Sequence, residues 1–415
     1  MAVDNVSVRC CIAGGGPAGV MLGLLLARAG VEVLVLEKHA DFFRDFRGDT
    51  IHPSTLEVMH ELGLLEDLLK LPHQKAPRIN AQVGGLALTV ADFTHLPTHC
   101  GFIAFMPQWD FLNFLAERGR VYPEFQLRMQ AECMDLLQQD GVVKGVRVKT
   151  TGGELTVHSD LVIATDGRHS IVREKAGLTV RDKGAPMDVL WIRLSRREND
   201  AAQALGRVDR GRIMVMINRG EYWQCAFVIP KGTAEALKAR GIENLREEIS
   251  RLVPYLGNRV GELRDWDDVK LLTVKVDRLE RWYKPGLICI GDAAHAMSPI
   301  GGVGINLAVQ DAVAAANVLA PALLTRKAIT HSLQQVQRRR EFPTIVTQAA
   351  QIFAQNRIIS RVLAADKPLQ VPSIMKLLDR WPLLQRIPAR AIGIGARPEH
   401  VRTRDVHQQQ RAIAS

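Results

Sequence analysis

The sequence predicts an α/β protein. It has a discontinuous domain built on a parallel sheet, a second domain of sheet plus helix, and a helical C-terminal segment. Three stretches predict this: "CCIAGGGPAGVMLGLLLARAGVEVLVLE" near the start, "LVIATDGRHSIVRE" in the middle and "GLICIGDAAHAMSPIGGVGINLAVQDA" further on. In each, a short apolar, strand-like run stops at a glycine or an acid and a helix-like stretch follows. With 415 residues, 47% hydrophobic and 24% charged, the chain has ordinary globular composition and length enough for two domains.

The first stretch reads strand, turn, helix, strand. "VRCCIA" suits a strand buried on both faces. Gly14, Gly16 and Gly19 then form G-x-G-x-x-G, the Rossmann-like dinucleotide pattern. Gly14 permits the tight turn, Gly16 lets a pyrophosphate approach the backbone and Gly19 lets the helix pack on the strand. Pro17 and Ala18 open a helix whose N-terminus favours the phosphates, and Gly30 is a candidate C-cap. "VEVLVLE" ends at Glu37, next to Lys38. Glu37 lies 18 residues after Gly19, where a carboxylate accepts hydrogen bonds from ribose hydroxyls. No charged residue lies between Cys10 and Ala27, as in a signal peptide or a short membrane span. The glycine cluster in its middle would break such a helix, so a buried strand-turn-helix is the better reading. The pattern fits NAD as well as FAD.

In the second stretch the strand "LVIAT" runs into Asp166 and Gly167, an acid at a strand end beside a permissive turn. In the third, Asp292 sits at the carboxyl end of the strand "GLICI", where α/β sheets bind ligands, and offers an acceptor to a polyol hydroxyl. Pro299, Gly301, Gly302, Gly304, Ile305 and Asn306 bring backbone close to something flat or phosphorylated. The following helix aims its free N–H groups there. His295 reads either as a general base or as a helix-start histidine. His52, before Pro53, carries the same ambiguity.

The net charge of +10 reads as a solvated basic surface plus a site for a phosphorylated cofactor. No nucleic-acid motif accompanies the basic residues. Of six cysteines, Cys10, Cys11 and Cys289 fall in apolar runs. No CxxC or Cys/His cluster signals a metal, and the thiols fit a reducing cytoplasm.

Taken together, "GGGPAG…E", "DLVIATDGRHSIVR" and "GDAAHAMSPIGGVGINLAVQDA" resemble the three fingerprints of single-component FAD-dependent aromatic hydroxylases, the p-hydroxybenzoate hydroxylase-like group. They come in that family's order, over roughly residues 6–330. The resemblance implies that Gly14 through Gly19 hold the FAD pyrophosphate and Glu37 the adenosine ribose. It places Arg47 by the flavin and pyrophosphate, and Gln108 on the flavin side. Asp166 and Gly167 become the pair linked to FAD and nicotinamide binding, Asp292 the ribityl partner, and Pro299 with Gly301 to Asn306 a loop along the isoalloxazine. It further implies a hydroxylation that consumes O2 and NADPH or NADH through a flavin C4a-hydroperoxide. Arg168 and Arg173 are candidates for the nicotinamide's phosphate.

On this reading residues 1–75, 100–182 and 270–330 form the FAD domain, 76–99 and 183–269 the substrate domain, and 331–415 a C-terminal helical region. The substrate strands "IMVMIN" and "CAFVIP" offer Met214, Met216, Ala226 and Val228, with Pro299 opposite, as an apolar lining. They lack the arginine and tyrosines of the benzoate-hydroxylating members, so a lipophilic aromatic or polycyclic substrate is expected. Tyr222 joins His52 and His295 as a candidate base. The basic tail is expected to cap the active site or a subunit contact, with a membrane-surface helix as the second reading, in a monomer or homodimer. Three other readings stay open. A reductase or dehydrogenase of the same fold would insert no oxygen. A halogenase would need W-x-W-x-I-P, where Cys225 and Phe227 stand here. The third is a non-catalytic flavoprotein.

Overall fold

The computed structural model describes residues 4–43, 50–200, 205–325, 329–365 and 373–408. Its largest sheet has eight strands. The parallel part runs in the order Leu287–Cys289, Gly153–Ala164, Asp4–Ala13, Val33–Leu36 and Phe125–Arg128. Strands buried on both faces need apolar residues throughout, and Cys10, Cys11, Ile12 and Ala13 are all at 0% exposure. The long strand Gly153–Ala164 does two jobs. Its first half pairs antiparallel with Val142–Thr150, and its last residues pair parallel with Leu287–Cys289.

The helix Pro17–Arg28 begins with proline at its first turn, where the missing N–H loses nothing. It ends just before Gly30, which adopts φ +85°. It packs mainly against Gly304–Thr325, a 22-residue helix. Residues Ile300–Thr325 are long and apolar enough to cross a membrane, but that stretch is 72% buried within the fold. It is a core helix.

A second sheet of seven strands runs Lys270–Leu272, Met187–Ser195, Tyr222–Pro230, Arg212–Asn218, Leu205–Asp209, Arg78–Val83 and Leu86–Asp92. The segment around "LALTVADF" thus joins this sheet through two strands, although about 100 residues separate it from the rest. The turn "NRGEY" closes the hairpin between Arg212–Asn218 and Tyr222–Pro230. One face carries Leu190, Ile192, Met214, Met216, Cys225 and Phe227, which pack with Leu237, Leu245 and Ile249 of the helices Ala234–Ala239 and Ile242–Leu252. The other face carries Val189, Ile213, Ala226 and Val228, which pack with Ile300 of the third fingerprint and with Val362.

Beyond residue 329, the helix Thr330–Ala354 runs through a π-turn to Leu363. The helices Ser373–Arg380 and Pro382–Gly393 then lie against the edge strand Leu86–Asp92.

Candidate cofactor and active site

The three fingerprints meet along one edge of the parallel sheet. The register places Leu36, Ala13, Ala164 and Cys289 in a single row. Every chain leaves the sheet there: into Glu37, Gly14, Thr165 and Ile290. Adjacent strands lie about 4.8 Å apart, so the edge from Glu37 to the Asp292 loop spans about 14 Å. This is the carboxyl edge, where doubly wound sheets bind ligands.

The glycines separate by environment. A Cβ on Gly14 would stand 2.5 Å from the Thr165 carbonyl oxygen, and φ there is +112°. A Cβ on Gly19 would stand 2.0 Å from the Gly14 carbonyl oxygen. These two glycines are demanded by the fold itself. At Gly16 no described residue lies within 4 Å of the Cβ position, and its φ of −75° suits any residue. The open space at Gly16 is a cradle that none of the described residues fills. Thr165 Oγ1 donates to the Gly14 carbonyl at 2.6 Å, fixing the turn from the neighbouring strand.

Glu37 is buried, and its carboxylate accepts from the Gly15 N–H at 3.1 Å and the His39 N–H at 3.0 Å. Lys38 is exposed beside it. Asp166 accepts from the Val172 N–H at 3.2 Å, while its Oδ1 is buried without a partner. Burial pushes its carboxyl above the usual range, against the opposing bonds from Ser170 and Val172. A buried acceptor with no donor costs about 1–3 kcal/mol, which a bound hydroxyl or N–H would recover. Asp292 stays partly open, and Arg168 Nη2 stands 3.8 Å from its Oδ2.

The loop Pro299–Gly302 turns at Gly301 and Gly302, both with positive φ. It is held by residues that the sequence reading did not single out. Thr50 Oγ1 donates to the Gly302 carbonyl at 2.8 Å, and the strand Thr50–Ile51 pairs with Ile103–Phe105, just ahead of the helix that Gln108 opens. Asn306 Oδ1 accepts from the His52 N–H at 3.0 Å and from Thr55 Oγ1 at 2.6 Å. The backbone around Gly304 and Ile305 starts the long helix beneath. Arg47 lies outside the described residues.

Four sequence readings are revised. Met214 and Met216 do not face the cofactor edge; both sit at 0% exposure on the far face, packed beneath the two helices. Alternation marks two faces but not which one looks inward. Ala226 and Val228 lie on the inward face, joined by Trp191, which touches both apolar groups there. Both candidate histidines are buried. His52 is wholly buried, its Nδ1 2.8 Å from the Ile392 carbonyl oxygen, and burial lowers its pKa to about 4. His295 is buried against Asp311, Nε2 to Oδ2 at 2.6 Å. Arg173 is buried too and donates to the Ala293 and Arg168 carbonyls, so it holds the third fingerprint loop instead of a nicotinamide phosphate.

Asp311 anchors a buried charge network. Besides His295 it accepts from the Gly291 N–H at 3.0 Å and from Arg340 Nε at 2.8 Å. Arg340 in turn lies 3.4 Å from Glu399, which Arg339 also pairs at 2.7 Å. Burial alone would raise the Asp311 carboxyl; His295 and Arg340 outweigh it and hold it below the usual range. The signal for this network was in the sequence: Asp311 is the single charged residue in "GINLAVQDAVAAANVLAPALLT". A lone acid in an apolar helix asks for a buried partner.

These features describe a flavoprotein. Among known families, the one described as FAD binding domain matches residues 7–350, and the chain belongs to it. It is 31% identical to 6-methylpretetramide 4-monooxygenase of Streptomyces rimosus over 388 residues, 92% of this chain and 93% of that protein. Among solved structures, the p-nitrophenol 4-monooxygenase of Pseudomonas putida aligns with a TM-score of 0.77 at 21% identity, over 93% of this chain and 97% of that one. A myxobacterial chondrochloren halogenase aligns at 0.75 and 18%, over 95% and 94%, so the fold alone does not separate these chemistries. The chain is an FAD-dependent monooxygenase.

Proposed function

We propose that this enzyme hydroxylates a lipophilic polycyclic aromatic substrate, drawing electrons from NADPH or NADH and oxygen from O2. One observation carries the substrate class. The centre of the inward face of the second sheet carries Val189, Trp191, Ile213, Val215, Ile217, Ala226 and Val228, while its cations stand at the rim: Arg193 opposite Gln224 and over the Tyr222 ring, Lys270 opposite Trp191 on the edge strand, and Arg219 donating to Gln224. A carboxylate brought among those apolar side chains would lose its hydration away from the rim cations. A broad fused-ring surface would be accepted by the same face.

When bound, FAD supplies the redox chemistry, taking a hydride and activating oxygen. The chain supplies the rest. Gly16 and the N-terminus of Pro17–Arg28 receive the pyrophosphate. Glu37 and Asp292 offer acceptors to the ribose and ribityl hydroxyls, and Asp166 lies between them. The Pro299–Gly302 loop, held by Thr50, lays backbone against the ring. Ile300 and the helix Pro382–Gly393, through Ala389 and Ile392, close the apolar side, which keeps water from the reacting centre. No described histidine serves as base at this cavity. His52 holds the Ile392 backbone and His295 pairs with the Asp311 side chain instead. The orienting polar groups on the sheet are Gln224 and the Trp191 indole N–H, which is buried without a partner.

Rapid-mixing reduction of the purified yellow protein by NADPH and by NADH, with a panel of ligands, tests this. Fused-ring phenols should speed flavin reduction and give hydroxylated product. Small benzoates that did so with tight coupling would overturn the substrate class.

A further inference from the structure

We infer that the outer face of the helix Pro382–Gly393, with the turn before it, docks on an anionic lipid surface. The inner face of this helix is committed to the protein: Gln385, Ala389 and Gly393 are buried, and a Cβ on Gly393 would stand 2.8 Å from Leu96 and 3.1 Å from Phe93. The opposite face is not committed. Leu383 is 62% exposed and Ile387 67%, one helical turn apart, and Trp381 ahead of them is 56% exposed. Leu377, a turn further back, is 44% exposed. Four large apolar side chains within eleven residues are left in water.

The same stretch is ringed by cations. Lys376, Arg380, Arg386 and Arg390 are all exposed. The acid among them, Asp379, is turned to the Thr89 N–H at 3.1 Å. The asymmetry extends over the whole tail. Residues 331–415 contain fourteen Lys and Arg against five Asp and Glu, which places nine of the chain's ten net positive charges in its last fifth. Apolar side chains with tryptophan at one end and arginines around them are what an interfacial helix presents to lipid headgroups. The charge pattern selects the occupant. A second copy seated on this face in a two-fold arrangement would set these cations against their own images, whereas anionic headgroups attract them.

The geometry also connects the surface to the site. In the last turn of the helix that carries this face, Ile392 packs against Val303 and Leu307 beside the fingerprint loop. A lipophilic substrate dissolved in a bilayer would then enter beside the helix that closes the cavity. Only that benefit rests on the substrate class proposed above; the docking is measured without turnover.

Flotation of the intact holoprotein with vesicles tests it, comparing phosphatidylglycerol mixed into phosphatidylcholine with phosphatidylcholine alone. Wild type should float with the anionic vesicles and fall away as salt is added. Neutralising three cations, Arg380→Gln, Arg386→Gln and Arg390→Gln together, should weaken that binding on the order of a hundredfold. Leu383→Ser with Ile387→Ser should abolish it while flavin content and the melting curve stay as in wild type. Brominated acyl chains should quench Trp381, a signal that Trp381→Phe removes. The inference is wrong if wild type stays at the bottom of the gradient with both vesicles, or if it floats equally with both. It is also wrong if either set of variants floats like wild type, or if the variants abolish a sedimenting dimer or the binding of an acidic protein and leave vesicle binding untouched.

Discussion

His52 Nδ1 lies 2.8 Å from the backbone carbonyl oxygen of Ile392, which lies 340 residues further along the chain. The partner is an acceptor, so the neutral ring carries its proton on Nδ1 and donates. The bond joins the segment that holds Asn306 and the Gly302 loop to the C-terminal helix Pro382–Gly393. Burial lowers the folded pKa to about 4 from an ordinary 6.5. The sign follows directly. Above pH 6.5 the ring is neutral folded and unfolded, and there is no penalty. As pH falls from 6.5 toward 4 the unfolded chain takes up a proton that the folded one refuses, so stability is lost, by about 3 kcal/mol at pH 4. Urea titrations at pH 7 and pH 4.5 should show a smaller acid-induced drop in His52→Gln than in wild type. Equal drops would refute the assignment.

The glycine pattern divides into a structural and a ligand-facing part. Gly19→Ala drives a Cβ into the Gly14 carbonyl and should lower the stability of the apoprotein by about 1–3 kcal/mol. Gly16→Ala meets no atom of the described residues. It should leave the apoprotein's melting curve unchanged and weaken FAD binding at least ~10-fold, through the lost approach of the pyrophosphate. Calorimetry of apoprotein and a flavin-binding titration separate the two. Destabilisation of the apoprotein by Gly16→Ala would show that the open space is illusory.

Asp311→Asn removes the carboxylate that His295, Arg340 and the Gly291 N–H share. It leaves Arg340 buried with Glu399 as its remaining anion. Breaking one partner of a buried pair costs about 3–5 kcal/mol. Chemical unfolding should register that loss, together with weaker flavin retention, because the Gly291 N–H begins the loop that carries Asp292. Wild-type stability in the variant would show the network to be dispensable.

The Trp191 indole N–H is a buried donor without a partner on the inward face of the sheet. Trp191→Phe removes the orphan N–H, so the free protein should be as stable as wild type or up to about 1 kcal/mol more stable. The apparent affinity for a substrate carrying a ring carbonyl or phenolate should fall about 10-fold, while a hydrocarbon analogue binds unchanged. Ligand titrations read out by flavin absorbance check both. A uniform loss across all ligands would point to packing instead.

All six cysteines are buried and free, and burial pushes the Cys133 thiol up to about 12. The native holoprotein should therefore react slowly with thiol reagents, and unfolding should release six equivalents. Rapid modification of any one before unfolding would contradict the burial.

The sequence by itself determined the positions along the chain where the carboxyl edge of the parallel sheet is made. Gly14, Gly16, Gly19, Glu37, Asp166 and Asp292 stand where strands stop, and stopping is local: a positive φ, an absent Cβ or an acid after an apolar run has its meaning within a few residues. Even Asp311 was legible as a lone charge in an apolar helix. What only the tertiary structure decided was orientation and partnership. Alternation along "IMVMIN" is symmetric between the two sides of a sheet, so Met214 and Met216 looked as eligible as Ile213 and Val215 until helices covered one face. Thr50 against Gly302, His52 against Ile392 and Arg340 against Asp311 join segments between 29 and 340 residues apart. Periodicity carries no information across such distances. Only the packing of the sheets and the long helices brings those side chains within hydrogen-bonding reach.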